Sequence, residues 1–257
     1  MKITVLGCGV STGVPAIGIG WGECDPADPR NRRRRASLLI ECRGKNVLID
    51  TSPDLREQFL AAEIARVDAI VMTHAHADHL HGIDDLRAVN RVMERPIPLY
   101  ADAATLEEIG ARFGYVLVPE DTKPPFYKPS LVPHEVAGRF TAAGLPFTPF
   151  TQDHGYSTTL GLRIGAFAYS TDVTELDETA FEALAGIEVW IVDCLRREPH
   201  PTHSHVAKTL EWIARVKPRR AILTHMDHTL DYVTLAAELP SGVELGQDGL
   251  VIELPDP

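Results

Sequence analysis

A chain of 257 residues with 44% hydrophobic content can bury a large core as one unit, so a single domain over residues 1–257 is the simplest expectation. Its net charge of −11, from 36 acids against 25 bases, argues against extensive nucleic-acid binding, which needs a broad basic surface. No apolar run nears the roughly 18 residues that cross a bilayer, and Cys8, Cys24, Cys42 and Cys194 lack framework spacing, so no membrane contact, free thiols and a cytoplasmic location are expected.

In chain order, periodicity predicts strands near residues 2–8, 36–43, 45–52, 69–74 and 96–101, with short helices near 53–62 and 79–92. A second half repeats the theme: strands near 139–143, 159–164, 166–171, 188–194 and 220–225, and helices near 175–186, 204–216 and 229–238. Two β-rich halves with outer helices predict an α/β fold, a four-layer α/β/β/α sandwich. Between the halves, residues 118–135 are rich in proline and read as a loop bordering a cleft; exposed Phe126, Tyr127 and Leu131 there would suit a homodimer contact. The opening Leu6-Gly7-Cys8-Gly9-Val10-Ser11-Thr12-Gly13 lacks the lysine of a P-loop and reads as a tight turn bringing backbone close to a site.

Chemistry concentrates in Thr73-His74-Ala75-His76-Ala77-Asp78-His79, which follows the apolar run Ala69-Ile70-Val71-Met72. Alternate residues of an extended segment project to one side, so His74 and His76 can grip one metal ion, while Asp78 and His79 face a second. The competing reading is a set of solvated polar residues at the start of a helix. Further donors stand where later strands should stop: His154, Asp172 after Phe167–Thr171, and His225 after Ala221–Thr224. Taken singly, either histidine is ordinary and Asp172 could cap a helix. Asp50, ending Leu48-Ile49, is placed to orient a ligand from behind.

The His-X-His-X-Asp-His string resembles the signature of the metallo-β-lactamase superfamily. That resemblance implies one metal on His74, His76 and His154, another on Asp78, His79 and His225, and Asp172 bridging them. Zinc or manganese is expected, and iron(II) is compatible with the same donors. Paired metals suit displacement at phosphorus, and a poor alkoxide leaving group needs an acid. In Pro201-Thr202-His203-Ser204-His205, His203 is the chosen proton donor and His205 its competitor or a substrate contact. Asp78 and Asp172 join His203 as catalytic residues. Arg30-Asn31-Arg32-Arg33-Arg34-Arg35 holds five of the 25 bases, and Arg33 and Arg35 are expected to bind a second, non-reacting phosphate; a solvated or salt-bridged edge is the alternative.

Over nearly the whole chain these stretches, with Asp193-Cys194 and Leu223-Thr224-His225-Met226-Asp227-His228, resemble the phosphoribosyl cyclic phosphate phosphodiesterases of phosphonate breakdown and, more distantly, ribonuclease Z. The resemblance implies a small phosphodiester substrate, 5-phosphoribosyl 1,2-cyclic phosphate or a 2′,3′-cyclic nucleotide. A ribonuclease Z-like endonuclease and a non-catalytic nucleotide-binding or biosynthetic accessory protein are the alternatives. One departure stands out. Family members carry a separate zinc on three cysteines and a histidine, whereas only Cys24 and His228 match here, so hydrogen bonds or packing are expected in its place.

Overall fold

Fourteen strands build two seven-stranded sheets in the computed structural model, which describes residues 1–257. The first contains β1 (Lys2–Gly7), β2 (Ser37–Cys42), β3 (Lys45–Ile49), β4 (Ala69–Val71), β5 (Ile97–Ala101) and β6 (Leu131–Glu135). The second contains β7 (Phe140–Ala142), β8 (Leu145–Asp153), β9 (Thr158–Ile164), β10 (Phe167–Ser170), β11 (Val189–Asp193), β12 (Arg220–Thr224) and β13 (Val243–Leu245). The chain then returns to the first sheet as β14 (Val251–Glu253), giving the orders β14-β1-β2-β3-β4-β5-β6 and β13-β12-β11-β10-β9-β8-β7. Each sheet changes character midway. Antiparallel pairing through β3 gives way to parallel β3–β6, and antiparallel β7–β10 gives way to parallel β10–β13.

Alternation along the strands explains the layers. Ile3 and Val5, Leu38 and Ile40, Val47 and Ile49, and Ala69 and Val71 share one core with Phe147, Leu162, Ile191 and Ile222 of the second sheet. Their neighbours Leu39, Leu48, Ile70 and Met72 point the other way, into a second core with Leu55, Leu86 and Ile109. Those last three come from helices α1 (Leu55–Ala61), α3 (Leu86–Met93) and α4 (Ala103–Phe113); a single turn, α2 (Ala77–Leu80), follows β4 and precedes α3. On the far side, α5 (Glu178–Leu184) and α6 (Val206–Val216) cover the second sheet with Ala180, Leu184, Trp212 and Ile213, and α7 (Tyr232–Ala236) follows. Strands covered on both faces read as continuous apolar runs, and each fully buried Leu or Ile contributes about 1.5 to 3 kcal/mol. The four-layer α/β/β/α sandwich is therefore present, and no helix is long and apolar enough to cross a membrane.

Several local expectations need correction. The 118–135 segment is not loop throughout, because Leu131–Glu135 forms the edge strand β6 beside β5. Phe126 and Leu131 are buried, and of the three residues named for a contact surface only Tyr127 is exposed, at 78%. The helix expected over 79–92 is broken into α2, a 3-10 turn at Ile83–Asp85 and α3. Gly82 stands at the break, where an added Cβ would lie 1.9 Å from the Ser52 carbonyl oxygen. Strand β8 carries Pro146 and Pro149 and escapes a propensity reading; Pro149 lies beyond the three residues that β7 pairs, where that edge is free of ladder partners, while Pro146 stands opposite Thr141.

Candidate metal centre

Polar residues that end the parallel strands β3, β4, β10, β11 and β12 meet at one edge of the sandwich. After β4 the chain stays extended to His76, whose φ of −64° and ψ of 154° precede α2. Extended backbone puts His74 and His76 side by side, with ring centroids 4.6 Å apart, and the first turn of α2 turns Asp78 and His79 inward. Asp50 fixes this clasp from behind. Its carboxylate accepts from Thr73 N at 2.7 Å, from Thr73 Oγ1 at 2.8 Å and from His79 Nδ1 at 2.8 Å, while Thr73 Oγ1 lies 3.0 Å from His74 Nδ1. Both Nε2 atoms are thereby directed toward the centre.

The second sheet supplies one donor per strand end. His154 follows β8 and donates from Nδ1 to the Thr202 carbonyl at 2.6 Å, which leaves its Nε2 facing His76 Nδ1 at 3.3 Å. Asp172, after β10, sits between the two sides: Oδ1 is 3.8 Å from the Nε2 atoms of His74 and His154 and 3.6 Å from that of His225, and Oδ2 is 3.0 Å from His79 Nε2. His225, after β12, reaches Asp78 Oδ2 at 3.2 Å. Asp50, Asp172 and His225 all adopt positive φ, at 62°, 54° and 58°. Left-handed backbone at a non-glycine residue costs about 1 to 3 kcal/mol, so surrounding structure holds these three strand ends in place.

Two donor groups share Asp172, and a third set, Asp193, His203 and His225, adjoins them through His225. His74, His76, His154 and Asp172 form one, and Asp78, His79, Asp172 and His225 the other, with the ligand atoms of each group within 4.8 Å of one another. Burial, reinforced by His79, pushes His74 well below the usual imidazole range. His79 is pushed the other way: burial opposes its charge, but Asp172, Asp78 and Asp50 outweigh it. Two features show that divalent cations fit. The His154 and His76 nitrogens face each other at 3.3 Å, and the buried Nε2 atom of His74 has no hydrogen-bond partner. Buried polar atoms in that state are costly unless an ion satisfies them.

A cavity of about 290 Å³ opens on this cluster, lined also by Ser11, Tyr156, Ser157, Thr202 and His203. A larger cleft of about 660 Å³ lies elsewhere, over β1 and β2, and contains none of these donors. His203 Nε2 is 3.9 Å from Asp172 Oδ1, and its ring stacks on His225 with centroids 4.7 Å apart. Burial opposes its charge, but Asp193 Oδ2, 3.4 Å from Nδ1, together with Asp172 and Asp78, raises its pKa to about 9. Asp193 was given no role by sequence reasoning. It is wholly buried, its Oδ2 accepts from Ser204 N at 2.9 Å, and its Oδ1 lies 3.8 Å from His225 Nδ1. The available signal was the one that marked Asp172: an acid closing a fully apolar strand.

Arg33, Arg35 and His205 do not line the cavity. Arg33 is 1% exposed and donates to the carbonyls of Asp227 at 2.9 Å and Leu230 at 2.6 Å, so it fastens two loops and cannot meet a phosphate. Arg35 pairs with Asp54 at 2.8 Å, and His205 stands before the first turn of α6. The glycine-rich segment does approach the site. Gly9 bridges to Arg35 and Met226, and Ser11 reaches the cavity. Near Cys24 and His228, Asn31 donates to Asp231 Oδ2 at 2.8 Å, Asp25 N donates to the same oxygen at 3.1 Å, and His228 packs on the backbone of Gly22.

Residues 45–226 match the family model described as a beta-lactamase superfamily domain. A Porphyromonas gingivalis protein named octanoyltransferase is 35% identical over 256 residues; the match covers 97% of this chain and 51% of that protein, so the chain spans about half its length. A ribonuclease Z of Bradyrhizobium diazoefficiens is 42% identical over 60 residues, 23% of this chain and 20% of that one. Among solved structures, a diphosphatase from the PhnP family superposes with a TM-score of 0.90 at 36% identity, covering 99% of this chain and 98% of that one. Zinc-bound PqqB from Methylobacterium extorquens shares the fold, with a TM-score of 0.76 at 19% identity over 99% of this chain and 100% of its own. With the family model spanning well over half its length, the chain belongs to the β-lactamase superfamily and carries the metallo-β-lactamase α/β sandwich.

Proposed function

We propose that the protein is a metal-dependent hydrolase of small cyclic phosphodiesters, with 5-phosphoribosyl 1,2-cyclic phosphate and 2′,3′-cyclic nucleotides as the substrate types. The observation that carries this reading is the His203 ring, held by Asp193 with its Nε2 3.9 Å from the carboxylate shared by both donor groups. Two divalent cations, zinc or manganese, on His74, His76 and His154 and on Asp78, His79 and His225, with Asp172 common to both, would supply the charge that activates water and steadies the phosphoryl oxygens. The chain itself supplies the acid. His203 donates the Nε2 proton to the departing ribose oxygen while Asp193 keeps Nδ1 protonated and the ring oriented. Cations held on these donors would draw the His203 pKa down from about 9, toward the range where a proton is readily given up.

A second reading, hydrolysis of a diphosphate, is favoured by the 36%-identical relative described as a diphosphatase. A phosphate leaving group needs less help from an acid than a sugar alkoxide does, so the two readings separate on His203. The test is turnover of cyclic phosphodiesters and nucleoside diphosphates by zinc- or manganese-loaded protein and its His203→Ala variant. Cleavage of the cyclic substrates that falls steeply in the variant is expected. Turnover of diphosphates alone, little changed in the variant, would decide for the second reading.

A further inference from the structure

Resting on that phosphodiesterase reading and choosing between its two substrate types, we propose that Tyr156 is a specificity-determining residue: a stacking platform for a flat ring on the substrate, which favours the cyclic nucleotide over the phosphoribosyl compound. Two independent observations lead there. The first is the charge of the cavity wall. None of its ten lining residues is a lysine or an arginine. Of the two arginines that sequence assigned to a second phosphate, Arg33 is spent on backbone carbonyls and Arg35 on Asp54. A substrate bearing a second, non-reacting phosphate would therefore find no guanidinium or ammonium partner in this cavity.

The second is the placement of Tyr156, the one aromatic carbocycle on the wall. It is 90% exposed yet borders the cavity, and no other ring stacks on it. Its backbone is braced. The turn closes through His154 N donating to the Ser157 carbonyl at 2.9 Å and Tyr156 N donating to the His154 carbonyl at 3.0 Å. Gly155 takes φ of +78° and lies so close to the next loop that an added Cβ would sit 2.6 Å from the Pro201 carbonyl. His154, a donor of the first group, hydrogen-bonds that same loop through Thr202, so the turn moves with the metal centre and the acid His203. A bare aromatic face on the cavity wall, carried by a turn tied to His154, suits a nucleobase, whose flat surface stacks with little sequence or substituent preference.

The experiment is calorimetric titration of the zinc-loaded protein with two probes that the chemistry does not consume, adenosine 3′-monophosphate and ribose 5-phosphate. The wild type is expected to bind the nucleotide about five- to tenfold more tightly, the lower end of what one base–aromatic stack contributes, as suits an exposed ring. Tyr156→Ala should bring the two affinities within about twofold, and Tyr156→Phe should keep the preference. Equal binding of the probes by the wild type, binding of neither, or a preference that survives Tyr156→Ala overturns the proposal. Because Tyr156 is exposed, neither variant threatens folding. Cleavage of 2′,3′-cyclic AMP, followed in parallel, judges the phosphodiesterase reading separately: its absence would end that reading and leave the affinity ratio to decide on the ring.

Discussion

The clasp at residues 74–79 and the far wall of the cavity build the same centre by opposite means. Four donors of the clasp lie on one extended-to-helical turn, where backbone geometry alone sets them side by side. His154, Asp172 and His225 come singly from the ends of β8, β10 and β12, and they meet only once the second sheet has paired. The clasp takes its geometry from adjacent backbone, whereas a wall assembled by topology hangs on the residue that joins its parts. Asp172 is that residue, because it alone belongs to both donor groups.

The contrast is broken most severely at Asp172. Asp172→Ala should lose both metals and bring hydrolysis to background, while His154→Ala and His225→Ala should each weaken one of the two sites; elemental analysis of purified variants distinguishes them. Retention of two metals by Asp172→Ala would show that the wall does not depend on a shared carboxylate. Next in size is His203→Ala, expected to lower kcat about 10²- to 10⁴-fold with metal content unchanged. A loss of metal in that variant would make His203 a ligand and not an acid.

Asp50 probes the clasp from behind, since it holds His79 directly and His74 through Thr73. Asp50→Asn should weaken metal affinity about 10- to 100-fold, measured by competition with a chromogenic chelator. An unchanged affinity would mean that local backbone alone suffices. The smallest effect belongs to the seam between the two halves. Asp248 accepts from Arg34 N at 2.9 Å and Cys8 N at 3.3 Å, and burial, only partly offset by these donors and by the Arg34 charge, raises its pKa to about 7. The folded state thus holds this proton more tightly than the unfolded chain, which releases it near about pH 4. Its stabilising contribution is complete below that value and is lost as pH rises through about 7. Asp248→Asn should flatten the pH dependence of the unfolding midpoint between those limits, and an unaltered slope would remove Asp248 from the account.

What sequence could reveal follows the same division. The clasp was legible because its spacing is local, and Asp172 and His225 because each closes a predicted strand, whereas His154 follows a strand that propensity misses and was legible only through the resemblance. Asp193 carried that same signal but had no neighbouring donor in sequence to draw attention to it. Arg33 was misread for a complementary reason. In the chain it belongs to a run of exposed-looking charge, while in space its partners are carbonyls of Asp227 and Leu230, roughly two hundred residues away. The missed helix α4 has a readable start, with Asp102 accepting from Thr105 N at 2.8 Å, and a buried Thr105 and Ile109 one turn apart. Strand β6 gave no such cue, because Pro133 and two polar residues leave it only Leu131 and Val132 as apolar members.

The central claim is that separated strand ends converge on a pair of cations, and anomalous diffraction from crystals of the zinc-loaded protein tests it most directly. The account predicts two peaks per chain, one among His74, His76, His154 and Asp172 and one among Asp78, His79, Asp172 and His225. No peak between these groups, or peaks confined to other residues, would contradict it.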